Sequence, residues 1–163
     1  MKKELSFYVA SSWRNGEQPA VVRLVRDMGH EVYDFRNPPG ASGFSWSDID
    51  PGWEFWSVER YRDVLLHSAV ARDGYERDME GMLAADACVV VMPCGRSAHL
   101  EAGWFCGRGK PCVFWFPLGV RVEAELMVYM ALDAGGRVLV GYDELKSWVR
   151  DLEMVQLMGG RLR

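Results

Sequence analysis

Five short segments rich in apolar residues recur along the chain, and longer stretches with helical spacing separate them. The segment 87–92, Ala-Cys-Val-Val-Val-Met, contains no charged residue, as a strand buried on both faces of a parallel sheet requires. The other segments have the length of strands and run into glycine, proline or polar residues, which is typical of loops. We therefore predict five strands, at 5–10, 30–35, 87–92, 111–116 and 137–141.

The stretches between these strands have the spacing of amphipathic helices. Within 17–28, the apolar residues fall on one helical face, and Gly29 supplies a C-terminal stop. Strands that alternate with helices predict an α/β fold with a parallel sheet and helices on both faces. With no repeat and no boundary in sight, we interpret 1–163 as a single domain. The other helical patterns lie at 58–69, 75–83, 97–109, 123–134 and 142–157.

One stretch, at about 36–56, breaks this alternation. It combines prolines and glycines with large aromatic residues, namely Phe44, Trp46, Trp53, Phe55 and Trp56. A loop of this length is usually functional or disordered, and the aromatic residues argue against disorder. We interpret the segment as a lid or pocket wall. An equally good interpretation is a cover for the sheet edge or a subunit contact, because aromatic residues also dominate interfaces.

Composition and charge narrow the range of partners. The 163 residues include 19 Lys and Arg against 23 Asp and Glu, which gives a formal net charge of −4. We expect a cytoplasmic protein that binds neither a membrane nor a long nucleic acid, because apolar runs are short and the chain has no broad basic footprint. Four cysteines without a C-x-x-C pair and three scattered histidines predict reduced thiols and no metal site.

In an open parallel sheet, ligands bind beyond the carboxyl ends of the strands. Three predicted loops lie there, and the third leads into a helix that Ser97 is predicted to cap. Free N–H groups in the first turn of that helix favour an anion, and arginines on all three loops favour a phosphorylated ligand. Each arginine alone is more often a surface cation. The candidate binding residues on these loops are Ser11, Trp13, Arg14, Asp34, Arg36, Gly95, Arg96, Ser97 and His99.

Two carboxylates could carry chemistry at this edge. We expect Glu101 in the first turn of its helix, where the dipole would keep it ionised and able to attack an anomeric carbon. Acidic residues also occupy first turns for dipole reasons alone. Asp78 borders an apolar helical stripe, where burial would raise its pKa toward the range that protonates a leaving nucleobase. Alternatively, Asp78 is a solvated surface residue, and Tyr8 on the first strand is either a partner of a carboxylate or a core tyrosine.

Three segments follow one another in an order that resembles a known family. The segment 7–13, Phe-Tyr-Val-Ala-Ser-Ser-Trp, looks like its first strand and base-binding loop, and 75–86 looks like its Asp-bearing helix. The segment 97–103, Ser-Ala-His-Leu-Glu-Ala-Gly, followed by Gly-Lys-Pro at 109–111, looks like its nucleophile segment. Over 5–117 the chain thus resembles the nucleoside 2-deoxyribosyltransferases and their relatives that hydrolyse the N-glycosidic bond of nucleoside monophosphates.

The resemblance implies a flavodoxin-like, or Rossmann-like, fold without a metal or organic cofactor. It implies that Glu101 is the nucleophile, Tyr8 its orienting partner and Asp78 a nucleobase or ribose contact. It also implies a homodimer or higher homo-oligomer. Two features depart from the transferases: Gly95 stands where they place a second Asp, and the C-terminal residues show no match to the segment that completes a neighbouring subunit's pocket. His99 is similar to the residue of some nucleotide N-glycosidases at this position.

We therefore expect cleavage of the N-glycosidic bond of a (deoxy)nucleoside or its 5′-monophosphate through Glu101, with hydrolysis favoured. The alternative within the family is 2′-deoxyribosyl transfer between nucleobases. Because a fold does not fix a function, a non-catalytic nucleotide-binding or sensing domain is a second hypothesis. A third is an interaction module that uses the aromatic residues of 44–56 as its surface.

Overall fold

The computed structural model describes residues 4–160. Within this range the chain forms one parallel sheet, with strands β1 Ser6–Ala10, β2 Glu31–Asp34, β3 Ala87–Val91, β4 Cys112–Phe116 and β5 Val138–Val140. The strand order is β2-β1-β3-β4-β5, which is the order of flavodoxin-like folds. The predicted five-stranded α/β fold is confirmed, and each strand lies inside its predicted segment.

Helices cover both faces of the sheet. In the described part of the chain they are α1 Gln18–Asp27, α2 Val58–His67, α3 Ala69–Ala84, α4 Arg96–Gly107, α5 Tyr129–Asp133 and α6 Gly141–Leu157. The apolar residues of α1 and α6 share a core with Phe7 and Val9 of β1. Those of α3, α4 and α5 share a second core with Tyr8 and Ala10. Since neighbouring side chains of a strand point to opposite faces, the register of β1 directs Tyr8 toward α3 and α4.

The predicted helix at 123–134 is wrong in its first half. A 3-10 turn at Leu126–Val128 leads into the short α5, and residues 121–125 form no helix. The apolar side chains of Val122, Leu126 and Met127 stay exposed here. Helical stability in proteins comes mainly from packing an apolar face, and this stretch packs none, so a longer helix gains no support. No helix within 4–160 is long and apolar enough to span a membrane.

The aromatic segment folds onto α2 and α3 as two 3-10 turns, Trp46–Asp48 and Trp53–Phe55. The Trp46 ring makes edge contacts with Phe44, Trp56 and Tyr61 at centroid distances of 4.9, 6.0 and 5.8 Å. The Trp56 indole N–H donates to Asp50 at 2.7 Å. The segment is therefore packed by its own rings, and its roles as a lid or as an interface both stay predictions.

Two contacts fix α3 against the sheet. At Gly81 the helix passes so close to β2 that an added Cβ would lie 2.5 Å from ring atoms of Tyr33. At the C-terminal end of α3, the Lys110 ammonium donates to the carbonyl groups of Met82, Leu83 and Ala85 at 3.3, 3.0 and 2.6 Å. These carbonyls lack helical partners, and a cation there also favours the dipole. The height and the end point of α3 are thus both set by specific residues.

We expect Gly81→Ala to destabilise the fold by about 1–3 kcal/mol, because the new methyl group must displace the packed Tyr33 ring. Gly103→Ala is the matched control, since Gly103 is also helical but has no atom within 4 Å of an added Cβ. There, alanine should be neutral or stabilising by ~0.5–1 kcal/mol. Urea unfolding of the two variants measures the difference. Equal stability of the two would contradict the close approach of α3 to Tyr33.

Candidate active site

Four side chains from four elements converge between the sheet and the facing helices α3 and α4. Tyr8 and Tyr33 are register partners on β1 and β2, and their rings stack at a centroid distance of 5.3 Å and an interplanar angle of 8°. The Tyr33 hydroxyl donates to the Asp78 carboxylate of α3 at 2.9 Å. Glu101 of α4 lies near enough to Asp78 for the two charges to repel each other. The structure thus brings together the three residues predicted to be catalytic and adds Tyr33.

The Tyr8 hydroxyl lies within this group but is not tied to a partner. Tyr8 is 0% exposed, and among residues 4–160 its hydroxyl has no hydrogen bond of normal geometry. It nevertheless lies close enough to Glu101 to lower the pKa of that carboxyl as a donor does. Burial and the nearby carboxylates raise the pKa of Tyr8 itself well above its usual value, so the hydroxyl keeps its proton. Tyr8 is therefore a donor placed beside Glu101.

The position and charge of Glu101 differ from the sequence-based expectation. Glu101 is the sixth residue of α4, beyond the first turn, so the helix dipole does not hold it ionised. Burial raises its pKa to about 7, the charge of Asp78 adds to the rise, and Tyr8 offsets part of it. The expectation of a first-turn carboxylate fully ionised at neutral pH was wrong. Near pH 7, Glu101 exists in both protonation states.

We call the place where Tyr8, Tyr33, Asp78 and Glu101 converge the recess. Asp78 is ionised more readily there than Glu101. It is half-buried, and this burial raises its pKa, as its position beside an apolar stripe predicts. The hydrogen bond from Tyr33 and the charge of Arg77 both act in the opposite direction. The two carboxyl groups therefore differ in environment, since Asp78 has a formed hydrogen bond and a neighbouring cation.

Most of the polar side chains on the first two loops bind other parts of the protein. Ser11 donates to the Val91 carbonyl at 2.8 Å, which ties the end of β1 to β3. Asp34 is buried and accepts from the Gln18 side chain at 2.8 Å and from the backbone N–H of Arg36 at 3.1 Å. Both side chains hold the loops in place, and their predicted contact with substrate stays a prediction.

Arg36 joins the first loop to the second. Its guanidinium donates to the carbonyl groups of Ser12 and Asn15 at 2.7 and 2.8 Å. The Asn15 side chain in turn donates to the Pro93 carbonyl at 2.9 Å and so reaches the third loop. Sequence reasoning missed Asn15, whose only signal is its place in a polar turn. The guanidinium of Arg36 therefore has protein partners on one side already.

Trp13 and Arg14 lie at the rim. The Trp13 ring is 51% exposed and packs edge-on against Phe35 at 5.5 Å, with the Arg36 guanidinium over it at 5.7 Å. Arg14 is exposed. A half-exposed indole held in place by an aromatic neighbour and a cation can stack on a planar ligand, and base binding by this loop stays a prediction.

The third loop leads into the N-terminus of α4. Gly95 occupies the cap position without a side-chain hydrogen bond, so the prediction that Ser97 caps the helix was wrong. The chain is still extended at Gly95 and turns helical at Arg96, which makes Ser97 the second helical residue. Gly95, Arg96 and Ser97 are all exposed. The first N–H groups of α4 therefore lack a side-chain cap and face outward, where an anion could reach them.

His99 does not join the carboxylates. It stands two residues before Glu101, and two helical steps of about 100° turn it to the opposite side of α4. Its Nδ1 lies 3.0 Å from the Gly95 carbonyl oxygen and 3.4 Å from the Cys94 sulfur. His99 instead lines a cavity of about 510 Å³ between α4 and α5, together with Leu100, Phe114, Met127 and Met130. This cavity is mostly apolar and Glu101 does not line it, so we place the candidate active site at the carboxylate pair.

No family model and no curated protein matches the chain. Among solved structures, the CMP N-glycosidase BcmB from Clostridium botulinum is 12% identical, with a TM-score of 0.51 over 91% of this chain and 98% of that one. A conserved protein from Enterococcus faecalis V583 is 13% identical, with a TM-score of 0.56 over 91% and 99%. A 2-deoxyribosyltransferase from Bacillus psychrosaccharolyticus is 23% identical, with a TM-score of 0.47 over 79% and 81%.

At 12% and 13% identity, the first two likenesses concern the fold alone. They show that this chain shares the fold of those two proteins over about nine-tenths of its length. The reaction of this chain has to be argued from its own site.

Glu101→Gln should stabilise the protein at pH 8 and not at pH 5. The folded-state pKa of about 7 lies above the ordinary value of 4.5, so the wild type loses stability as the pH rises through this window and Gln does not. The gain at pH 8 should be about 1–3 kcal/mol, or a few degrees in Tm. Thermal unfolding at both pH values measures it.

The control is Glu80→Gln, which removes an exposed carboxylate from α3 and no burial penalty. If Glu101→Gln gives the same change in Tm at pH 5 and pH 8, the Glu101 carboxyl is not held in an unfavourable environment.

Proposed function

We propose that this protein cleaves the N-glycosidic bond of a nucleoside or nucleoside 5′-monophosphate, with water as the preferred acceptor. The observation that carries the proposal is that the carboxyl groups of Glu101 and Asp78 lie near each other, beside two stacked tyrosines. Glycosidic cleavage uses such a pair, because the anomeric carbon gains positive charge in the transition state. The shared fold with a CMP N-glycosidase is consistent with it.

In this reaction the ionised Glu101 attacks the anomeric carbon, C1′. The C1′–O bond to Glu101 forms as the C1′–N bond breaks, and the base leaves with the bonding electrons and takes up a proton from the solvent. Water then attacks C1′ and returns a proton to the solvent, while the C1′–O bond to Glu101 breaks and leaves the ionised Glu101 and the free sugar or sugar phosphate. The Tyr8 hydroxyl beside Glu101 orients the carboxylate, and Asp78 accepts a hydrogen bond from the sugar or the base. The acid-side loss of activity should follow the protonation of Glu101, near pH 7.

Gly95 is the residue that favours hydrolysis over transfer. Transfer requires a second base to bind and lose a proton where the first one left, which benefits from an additional acid or base group. At Gly95 there is no side chain, and the space where a Cβ would stand is open. Hydrolysis only needs a water molecule to enter, so the lack of a group at this position penalises transfer more.

The start of α4 supports a preference for a 5′-phosphate. Uncapped N–H groups, the hydroxyl of Ser97 and the guanidinium of Arg96 all lie exposed there. Charge-assisted hydrogen bonds from such groups suit a phosphate dianion. Arg14 is also exposed and is the second candidate cation, whereas the Arg36 guanidinium already donates to two carbonyl groups.

Glu101→Gln should reduce base release at least ~10³-fold, because the variant keeps the shape of the side chain and loses the nucleophile. Asp78→Asn should lose less, about 10²-fold, with part of the loss in KM, because Asp78 positions the substrate. Chromatography of the base released from nucleosides and their 5′-monophosphates measures both, with Glu80→Gln as the control.

Near-normal turnover in Glu101→Gln would remove Glu101 from the mechanism. If the wild type binds nucleotides without releasing base, the protein is a nucleotide-binding or sensing domain instead. If it neither binds nor cleaves them, the interaction module is favoured.

With a labelled acceptor base in excess, we expect free sugar phosphate rather than an exchanged nucleoside, and faster cleavage of a monophosphate than of its nucleoside. Arg96→Ala should reduce the preference for the monophosphate about tenfold and leave nucleoside cleavage nearly unchanged, because one charge-assisted contact is lost. Arg108→Ala, at the other end of α4, is the control. Dominant base exchange on unphosphorylated deoxynucleosides would restore the transferase interpretation.

A further inference from the structure

Tyr33 contacts Asp78, Tyr8 and Gly81. Its hydroxyl donates to Asp78 at 2.9 Å, its ring stacks on Tyr8, and its ring atoms fill the space left by the missing side chain of Gly81. Burial and the Asp78 charge raise the pKa of Tyr33, so the hydroxyl stays protonated and acts as a donor. The ring of Tyr33 is therefore held in place, and its hydroxyl acts as a donor to Asp78.

We propose that Tyr33 is a positioning residue that holds Asp78 as an ionised hydrogen-bond acceptor and thereby leaves the proton of the carboxylate pair on Glu101. Only one oxygen of Asp78 is used by Tyr33, so the second is free to accept from a substrate hydroxyl or amino group. This role deepens the proposed function and rests on it only for its kinetic consequence.

The groups around the pair support this assignment of the proton. Glu101 is faced by Asp78 from α3, by Tyr8 and Tyr33 from β1 and β2, and by Cys94 from the loop before α4. Burial and Glu101 raise the pKa of the Cys94 thiol to about 12, so Cys94 stays neutral. Cys88 of β3 lies near Tyr8, and it is buried.

Arg77 is a cation next to these groups, and its charge acts on Asp78 and Tyr33. Asp78 therefore has both the formed hydrogen bond and the nearby cation. For Glu101, burial and the repelling charge of Asp78 outweigh the effect of the Tyr8 hydroxyl, which is why Glu101 is the group that holds the proton.

The test is Tyr33→Phe, which removes the hydroxyl and keeps the ring that packs against Tyr8 and Gly81. Carboxyl ¹³C chemical shifts of labelled Glu and Asp, assigned with Glu101→Gln and Asp78→Asn, report the titration of each group without any substrate. In Tyr33→Phe, the Asp78 titration should move to higher pH and the Glu101 titration to lower pH, each by about one pH unit.

Tyr8→Phe is the opposed control. It removes the donor beside Glu101, so the Glu101 titration should move to higher pH. If both variants leave the Asp78 and Glu101 titrations where they are in the wild type, or if Tyr33→Phe moves Glu101 to higher pH, the proposal is overturned.

The kinetic arm measures the acid limb of kcat/KM for base release. In Tyr33→Phe the limb should move to lower pH by about one unit, because Glu101 is ionised at lower pH, while KM rises because Asp78 is less fixed. A purely structural role for Tyr33 would lower activity at every pH without moving the limb, and that result would count against the proposal. If no base is released at all, the proposed function fails, and the titration alone still decides the role of Tyr33.

Discussion

Two carboxyl groups in one recess cannot both be ionised without a cost, because like charges in a half-buried space repel each other with little water to screen them. This constraint applies to Asp78 and Glu101, and the surrounding residues favour the ionised form of Asp78 over that of Glu101. Tyr33 and Arg77 favour the charge on Asp78. Glu101 sits deeper in the protein, against Tyr8, and its pKa rises to about 7. The protonation of the site at neutral pH is therefore a property of the whole recess.

The recess forms because strand pairing and helix packing bring residues that are distant in sequence together and fix their relative positions. Parallel pairing places Tyr8 opposite Tyr33, and the alternation of β1 and β2 turns both rings to the side covered by α3 and α4. Gly81 lets α3 approach the Tyr33 ring, and Lys110 secures the carbonyls at its end. Asp78 lies one turn before Gly81, so the height of α3 sets the reach of its carboxylate toward Tyr33.

The sequence predicts the strands of this fold because apolar runs and loop residues mark them clearly, and it predicts Tyr8, Asp78 and Glu101 because their segments resemble a family in order. It misplaces Glu101 because the cap of α4 lies two residues earlier than predicted, at Gly95 instead of Ser97, so the carboxylate lies beyond the first turn. Tyr33 is missed because a tyrosine in a strand is usually a core residue. The available signal is Gly81, a glycine inside a helical pattern, which often marks a close approach, but its partner emerges only with the fold.

The proposed reaction is compatible with a nucleophile that is partly protonated in the free protein. The charge of Arg77 favours an ionised Asp78, whereas burial and the charge of Asp78 disfavour a second negative charge on Glu101. In the proposed reaction, positive charge would develop at the sugar near the two carboxylates as the C1′–N bond breaks, and the same repulsion would be relieved. Interactions that are unfavourable in the free protein and favourable in the transition state lower the barrier without tightening the binding of substrate. The unequal environments of Asp78 and Glu101 are therefore the feature on which the proposed glycosidic cleavage depends.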